Sequence, residues 1–222
     1  MKYAGILFDF NGTLFFDSQY HDLAWKEISK EIRGYPLTDE EIMQHMHGKN
    51  NEKIIDYING KPMDPIHNRQ YSLKKEAMYR KMCLAHPDAF HLAPGAEAFL
   101  QACKQQGIPM LIATASIIEN VNFFVDHFHL ERWMDPAQIV YDDGHYEDKV
   151  MMFQEAAKRL HVDVQECIVF EDSLSGIRFA HEAQVKDIVV IDAMKDAKRY
   201  EQFSFIKCIY NDFVNISMDI LE

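Results

Sequence analysis

Ala4 to Phe10 is an apolar run interrupted only by Asp9 near its end. A run that short and apolar on both faces predicts a buried parallel strand. Asn11-Gly12-Thr13, directly after it, is turn chemistry. From about Gln19 to Ile32 the period becomes helical, with Tyr20, Leu23, Ala24, Ile28 and Ile32 on one face, and Gly34 and Pro36 stop it. Thr38-Asp39-Glu40-Glu41 is a capping box that opens the next helix. Asn51 to Ile58 and Asn68 to Leu84 carry two further helical patterns. Residues 17–90 are therefore expected to be all helical.

The pattern then alternates. Pro94-Gly95 opens a helix that closes at Gly107, and strand Ile108 to Ala113 runs into Thr114-Ala115-Ser116. Helix Ile117 to Phe128, a short strand Gln138 to Tyr141 and helix Lys149 to Leu160 follow. Strand Cys167 to Phe170 ends at Glu171-Asp172, helix Ser175 to Ala183 leads to strand Asp187 to Ile191, and Ile206 to Tyr210 is the last strand. Asp212 is expected to cap a final helix. Alternation of this kind predicts an α/β fold, a doubly wound, Rossmann-like parallel sheet. The expected domains are 1–16 with 91–222 as the α/β core, and 17–90 as an inserted helical cap.

Composition narrows the function. The chain has 222 residues, 48% hydrophobic and 26% charged, with 35 acidic against 23 basic side chains and a net charge of −12. A field of that sign disfavours nucleic acid and anionic membranes as partners. No run approaches the length of a membrane span. Four cysteines without C-x-x-C spacing read as reduced thiols of a cytoplasmic protein, and a monomer is the expected state. His45-x-His47 and His127-x-His129 do not share a helix face, so a metal pair there is not expected. No G-x-S-x-G, P-loop or G-x-G-x-x-G is present.

Three strands end in polar groups: Asp9, Thr114 and Glu171-Asp172. In an open α/β sheet the site lies beyond the carboxyl ends of the strands. Carboxylates with one Lys, Lys149, and a hydroxyl suit Mg²⁺ and a phosphate, since a hard cation takes oxygen ligands. Each residue also has a plainer reading: Thr114 as a helix N-cap, Lys149 as a solvated Lys, Glu171 as a structural acceptor, Asn11 as an Asx turn. Phe15-Phe16 reads as a cap entrance or as a buried hinge.

Asp9-Phe10-Asn11-Gly12-Thr13-Leu14, Leu111-Ile112-Ala113-Thr114 and Glu171-Asp172-Ser173-Leu174-Ser175-Gly176-Ile177 resemble three motifs of the haloacid dehalogenase superfamily. Tyr20-His21-x-x-Ala24-Trp25 resembles the cap start of its β-phosphoglucomutase-like and phosphoglycolate phosphatase-like branch. The resemblance implies a phosphatase of a small phosphorylated metabolite, working through an aspartyl-phosphate on Asp9. It places Mg²⁺ on Asp9, the carbonyl of Asn11 and Asp172, with Glu171 alongside. It gives the phosphoryl oxygens Thr114, Lys149 and the turn Gly12-Thr13, with Ala115 and Ser116 beside them. His21, Lys49 and Lys75 are the cap's candidates; His21 also reads as packing and Lys75 as surface. The cap would close over the substrate and exclude water.

Three departures stand out. Asn11 occupies the place of the family's second Asp, the general acid and base, which predicts slow turnover of ordinary sugar phosphates. Lys149 lacks the usual K-P-x-P continuation. Asn51 follows Gly48-Lys49-Asn50 where mutases carry an Arg, which weighs against the alternative of a sugar-phosphate mutase. A catalytically weak phosphometabolite binder is the other alternative.

Overall fold

The computed structural model describes residues 2–46 and 49–222. Gly48 and His47 of the sequence reading lie outside them. The chain divides into two compact units, Met1–Phe16 with Leu92–Glu222, and Asp17–His91.

The first unit is built on five short strands: β1 (Gly5–Phe8), β2 (Met110–Ile112), β3 (Cys167–Glu171), β4 (Asp187–Ile191) and β5 (Ile206–Tyr210). All pairings are parallel, in the order β2-β1-β3-β4-β5. This is the doubly wound α/β sheet that the alternating pattern predicts. Its helices are α5 (Ala96–Gln105), α6 (Ile118–Phe128), α7 (Lys149–Arg159) and α8 (Leu174–Glu182) in this unit, while α1 (Ser18–Arg33), α2 (Asp39–His45), α3 (Asn51–Asn59) and α4 (Pro65–Ala85) belong to the second unit. Helices α1 to α4 lie between β1 and β2 in the chain. Strands β1 to β3 are buried on both faces, so their sequences read as continuous apolar runs.

Aromatic rings fill both sides of β1. Phe8 stacks on Phe170 at 5.1 Å between ring centres, and Phe10 stacks on Phe124 of α6 at 4.4 Å. Phe15 is fully buried and packs on Phe128, which agrees with the buried alternative for this residue. Burying each such ring is worth roughly 1.5–3 kcal/mol. The register of β1 with β3 sets Phe8 opposite Phe170. The residues that follow, Asp9 and Glu171, therefore emerge side by side.

Two expected elements differ. Gln138–Tyr141 is not a strand: a 3-10 turn covers Pro136–Gln138, and only Val140 bridges to Ala113. The Pro136 turn before it and the turn closed by Gly144 N–H on Asp142 leave too few residues for a ladder. Asp212 does not open a helix either; its carboxylate takes the N–H of Val214 and the chain turns. Phe213 is drawn into the core beside Phe8, Phe99 and Phe170, and its N–H donates to Pro94 O. The backbone at 213–214 lies so close to Gly95 that a Cβ there would meet Val214 N at 2.5 Å. Tertiary packing thus overrides the local helix signal, and only a 3-10 turn, Met218–Leu221, ends the chain.

The second unit is helical, as the periodicity predicts. The capping box forms as read, with Thr38 and Glu41 satisfying each other's backbone N–H. Its apolar core joins Trp25 and Ile28 of α1 to Ile42 of α2 and Ile54, Ile55 and Ile58 of α3. Next to this core runs a buried polar network, and it overturns the surface reading of Lys75. Lys75 is 1% exposed; its Nζ donates to Glu76 Oε1 at 2.8 Å and to His21 Nδ1 at 2.5 Å. An ammonium can only donate, so His21 presents Nε2–H toward Asp17, 3.3 Å away. His21 also stacks on Tyr79, and Tyr79 donates to Asp17. Asn51 donates to Glu76 at 2.7 Å and to Ser72 at 3.0 Å. Lys49 is exposed, and its N–H donates to Met46 O.

Removing one partner of a buried ion pair leaves the other charge uncompensated. Lys75→Met is expected to destabilise the protein by about 3–5 kcal/mol in urea unfolding, and Lys75→Met with Glu76→Met together to recover most of that loss. A double variant no more stable than the single one would show that the pair is not the source of the effect.

Candidate active site

Asp9 leaves β1 and meets the turn that the next four residues make. The N–H groups of Thr13, Leu14 and Phe15 all point at Phe10 O, and Gly12 N–H donates to Phe15 O at 2.7 Å. The N–H groups of Gly12 and Thr13 are thereby engaged in closing the turn. Gly12 has φ +84, and a Cβ there would run into the Asp172 carboxylate. Glycine is required twice over, for the left-handed backbone and for the close approach. Thr13, fully buried, donates from Oγ1 to Asp172 Oδ1 at 3.1 Å and to Asp9 Oδ2 at 3.3 Å.

From the neighbouring strand come Glu171 and Asp172. Glu171 is fully buried. Its Oε2 accepts from the N–H groups of Asp172 and Ser173, both at 2.7 Å, and from Ser173 Oγ at 3.0 Å. Ser173 Oγ in turn caps α8 by accepting from Gly176 N–H. A Cβ on Gly176 would overlap the Glu171 carboxylate, so the glycine of this motif makes room for it. Glu171 holds the β3–α8 turn, which accords with its structural-acceptor reading.

Lys149, the first residue of α7, reaches into the same place. Its Nζ donates to Asp9 Oδ1 and to Glu171 Oε1, each at 2.5 Å, and its side chain is 12% exposed. The solvated-Lys reading is thus set aside. Asp148 caps α7 by accepting from the N–H groups of Val150 and Met151, so the helix begins at Lys149 without the proline that usually follows the lysine.

Thr114 and Ser116 close the third side. Thr114 does not cap α6, which starts four residues later with Ile117 at the cap position. Its Oγ1 instead accepts from Ser116 N–H at 3.2 Å and lies 3.4 Å from Asn11 Oδ1. Ser116 Oγ donates to Asn11 Oδ1 at 2.7 Å. The carboxamide oxygen of Asn11 faces these two hydroxyls, which directs its NH₂ to the other side. Ala115 is exposed and Ser116 half-buried.

Among the described residues, Asp9, Glu171 and Asp172 each offer one carboxylate oxygen within 4.8 Å of the others. Burial pushes the Asp9 carboxyl up to about 7, with the Glu171 charge adding to the rise and Lys149 opposing it. Burial likewise raises Asp172, helped by the charges of Glu171 and Asp9. For Lys149 burial works against the charge, but Asp9 and Glu171 outweigh it and hold the ammonium above its ordinary range. Three carboxylates face one ammonium. The oxygen-only donor set and the excess negative charge fit a hard divalent cation. Glu171 is tied by Lys149 at Oε1 and by three donors of its own turn at Oε2, whereas Asp9 shares Lys149 and, with Asp172, Thr13, which leaves Asp9 and Asp172 the better placed of the three to take a cation.

Sequence reasoning missed one residue of this site. Tyr200, 2% exposed, donates from its hydroxyl to the backbone O of Asp172 at 2.9 Å. It lies in a 3-10 turn, Ala197–Tyr200, with no motif to mark it. His21, Lys49 and Lys75 belong to the other unit, with the partners given above.

Residues 3–184 match the haloacid dehalogenase-like hydrolase family. The chain belongs to that family. A solved HAD hydrolase, family IA, variant 3, from Entamoeba histolytica is 33% identical, covers 98% of this chain and 96% of its own, and has a TM-score of 0.89. β-Phosphoglucomutase from Clostridium difficile shares the fold at 19% identity and a TM-score of 0.81, covering 99% and 95% of the two chains. Among curated relatives, fructose-1-phosphate phosphatase YqaB of Escherichia coli is 25% identical over 82% of this chain and 93% of its own. The chloroplastic 5-amino-6-(5-phospho-D-ribitylamino)uracil phosphatase of Arabidopsis thaliana is 24% identical over 85% of this chain, and the match spans half of that relative's length. The chain is an enzyme of the hydrolase kind, with phosphatases among its relatives.

The raised carboxyls give a pH signature. Between the unfolded value near 4 and the folded values, the metal-free folded protein holds protons that the unfolded chain has released, so its stability falls as pH rises through that window. A bound cation displaces those protons. The melting-temperature gain from millimolar Mg²⁺ is therefore expected to grow from about pH 5 to about pH 7 and then level off. A gain that is flat across this range in a thermal-shift series would contradict the assignment of Asp9 and Asp172 to the cation.

Proposed function

We propose that the protein is a Mg²⁺-dependent phosphatase of a small phosphorylated metabolite, using Asp9 as the nucleophile. The observation that carries this reading is the meeting of Asp9, Asp172 and Lys149 at the carboxyl ends of β1 and β3. When bound, Mg²⁺ supplies charge neutralisation and polarisation of the phosphoryl oxygens.

The chain's own residues divide the remaining work. Lys149 cancels part of the repulsion between Asp9 and a phosphate dianion, and its two carboxylate partners keep it charged. Thr114 and Ser116 present hydroxyls beside Asn11. Asp9 attacks phosphorus, the bond to the leaving oxygen breaks, and that oxygen takes a proton from solvent water to become an alcohol. Water then attacks the aspartyl-phosphate, inorganic phosphate leaves, and the Asp9 carboxylate is restored. In-line transfer asks mainly for positioning and charge stabilisation.

Asn11 sets the limits of this chemistry. Its amide donates a hydrogen bond to a leaving oxygen but cannot supply and regain a proton at neutral pH, and such help is typically worth about 10²–10⁴ in rate. Good leaving groups, as in acyl or aryl phosphates, lose less than sugar phosphates. A mutase, the other activity among the structural relatives, needs that proton shuttle and a second cationic clamp for a bisphosphate. Here Asn51 stands where mutases carry Arg, and the Lys75 charge is met by Glu76. A monophosphate hydrolase is therefore favoured. Residues 17–90 serve as its cap, and the four free thiols accord with a reducing, cytoplasmic setting. No helix among the described residues is long and apolar enough to cross a membrane.

Asp9→Ala is expected to lower Mg²⁺-dependent hydrolysis of p-nitrophenyl phosphate by at least about 10³-fold. Asn11→Asp is expected to raise turnover of alkyl phosphates about tenfold or more, and of the aryl ester by less. Full activity in Asp9→Ala sinks the nucleophile assignment. Absence of turnover in both wild type and Asn11→Asp, with phosphate esters still raising the melting temperature, marks a binder instead. Glucose 6-phosphate formed from β-glucose 1-phosphate without free phosphate would establish the mutase.

A further inference from the structure

We infer that Tyr200 is a positioning residue for the cation: its hydroxyl, bonded to the backbone carbonyl of Asp172, fixes the direction in which the Asp172 carboxylate is presented. The inference rests on the proposed role of Asp172 in holding Mg²⁺.

Asp172 is the first residue beyond β3, where the sheet no longer holds the backbone. Its N–H is tied to Glu171 Oε2 at 2.7 Å. Its side chain is steadied by Thr13 Oγ1 at 3.1 Å and backed by Gly12. Its carbonyl accepts from Tyr200 at 2.9 Å. That last bond joins the turn to a segment 28 residues further along. With N–H and C=O both held, the peptide planes on either side of Asp172 are fixed. The following plane also carries the Ser173 N–H, which donates to Glu171 Oε2 at 2.7 Å. Tyr200 ties that plane to a segment outside the turn, and without it the turn can shift as a unit and carry the Asp172 carboxylate with it.

Tyr200 is itself well anchored. The segment that bears it leaves β4 with Asp192 N–H bonded to Tyr210 O of β5 at 2.6 Å. Lys195, in a left-handed conformation at φ 57, turns the chain and donates its N–H to Asp192 O at 3.1 Å. Phe203 N–H then donates to Tyr200 O at 2.9 Å. The phenol ring is 2% exposed. A hydroxyl on a ring so held acts as a fixed strut behind the residue that would hold the cation, and loss of a hydrogen bond that orients a ligand typically costs about tenfold or more in metal affinity.

The test is isothermal titration calorimetry of Mg²⁺ into the metal-free full chain, wild type beside Tyr200→Phe, with kinetics at varied Mg²⁺. Tyr200→Phe keeps the ring and removes only the donor. Its Mg²⁺ dissociation constant is expected to rise about tenfold, with kcat returning to within about twofold of wild type at saturating Mg²⁺ and the metal-free melting temperature little changed. Gln202→Ala, on the same segment but bonded to Arg178, is expected to bind Mg²⁺ as wild type does. An unchanged affinity in Tyr200→Phe overturns the inference, as does a fall in metal-free stability with no change in affinity, or an equal loss in Gln202→Ala. If Tyr200→Phe does not fold, Tyr200→Met fills the same space without a donor and is read by the same outcomes. A wild type that takes up no Mg²⁺ overturns the cation reading of Asp172 itself, which separates that failure from one confined to Tyr200.

Discussion

Two adjacent parallel strands that both end in carboxylates create a charge problem that the rest of the first unit is arranged to contain. Because Phe8 pairs with Phe170, the next residues on each strand, Asp9 and Glu171, come out at the same level, and Asp172 follows at once. Like charges brought together away from water repel strongly and resist ionising. Lys149 opposes this from the start of α7 by bridging Asp9 and Glu171. One ammonium does not balance three carboxylates, and the remaining negative charge is what makes the pocket fit for a divalent cation.

The glycines and hydroxyls around that cluster follow from the same constraint. Gly12 and Gly176 leave space for the carboxylates of Asp172 and Glu171, which any Cβ would occupy. Ser173 serves Glu171 and the first turn of α8 at once. Ser116 and Thr114 orient Asn11, so a residue unable to transfer a proton is nevertheless held in a defined direction. The site keeps the groups that stabilise charge and lacks the one that would manage protons. On the proposed phosphatase reading, that division favours leaving groups that depart without assistance.

The second unit solves a different charge problem. Lys75, Glu76, His21, Asp17, Tyr79 and Asn51 form one network in which each charge has a partner. Burying such a set is costly unless every member is satisfied. A lysine that the sequence pattern put on the surface is thereby drawn inside, since Trp25 and Tyr79 cover its ammonium at 4.9 and 5.5 Å from their ring centres.

Much was legible in the chain alone. Period-two and continuous apolar runs mark strands, and period-3.6 runs mark helices. That contrast is local, so β4, β5 and the capping box at Thr38 follow from it directly. The acidic strand ends and the glycines beside them also announce themselves, because steric and charge requirements leave few residue types able to stand there. Other features depend on atoms far away in sequence and so carry no local mark. The tail at Phe213 obeys the ring stack it joins rather than the cap signal at Asp212. Burial of Lys75 depends on which residues α1 and α3 bring against α4. The bond from Tyr200 to Asp172 exists only because β4 lies next to β3 and the chain returns across it. Chemistry at single positions could be read from composition and order; the partners that orient those positions arise from packing, where distance in space replaces distance along the chain.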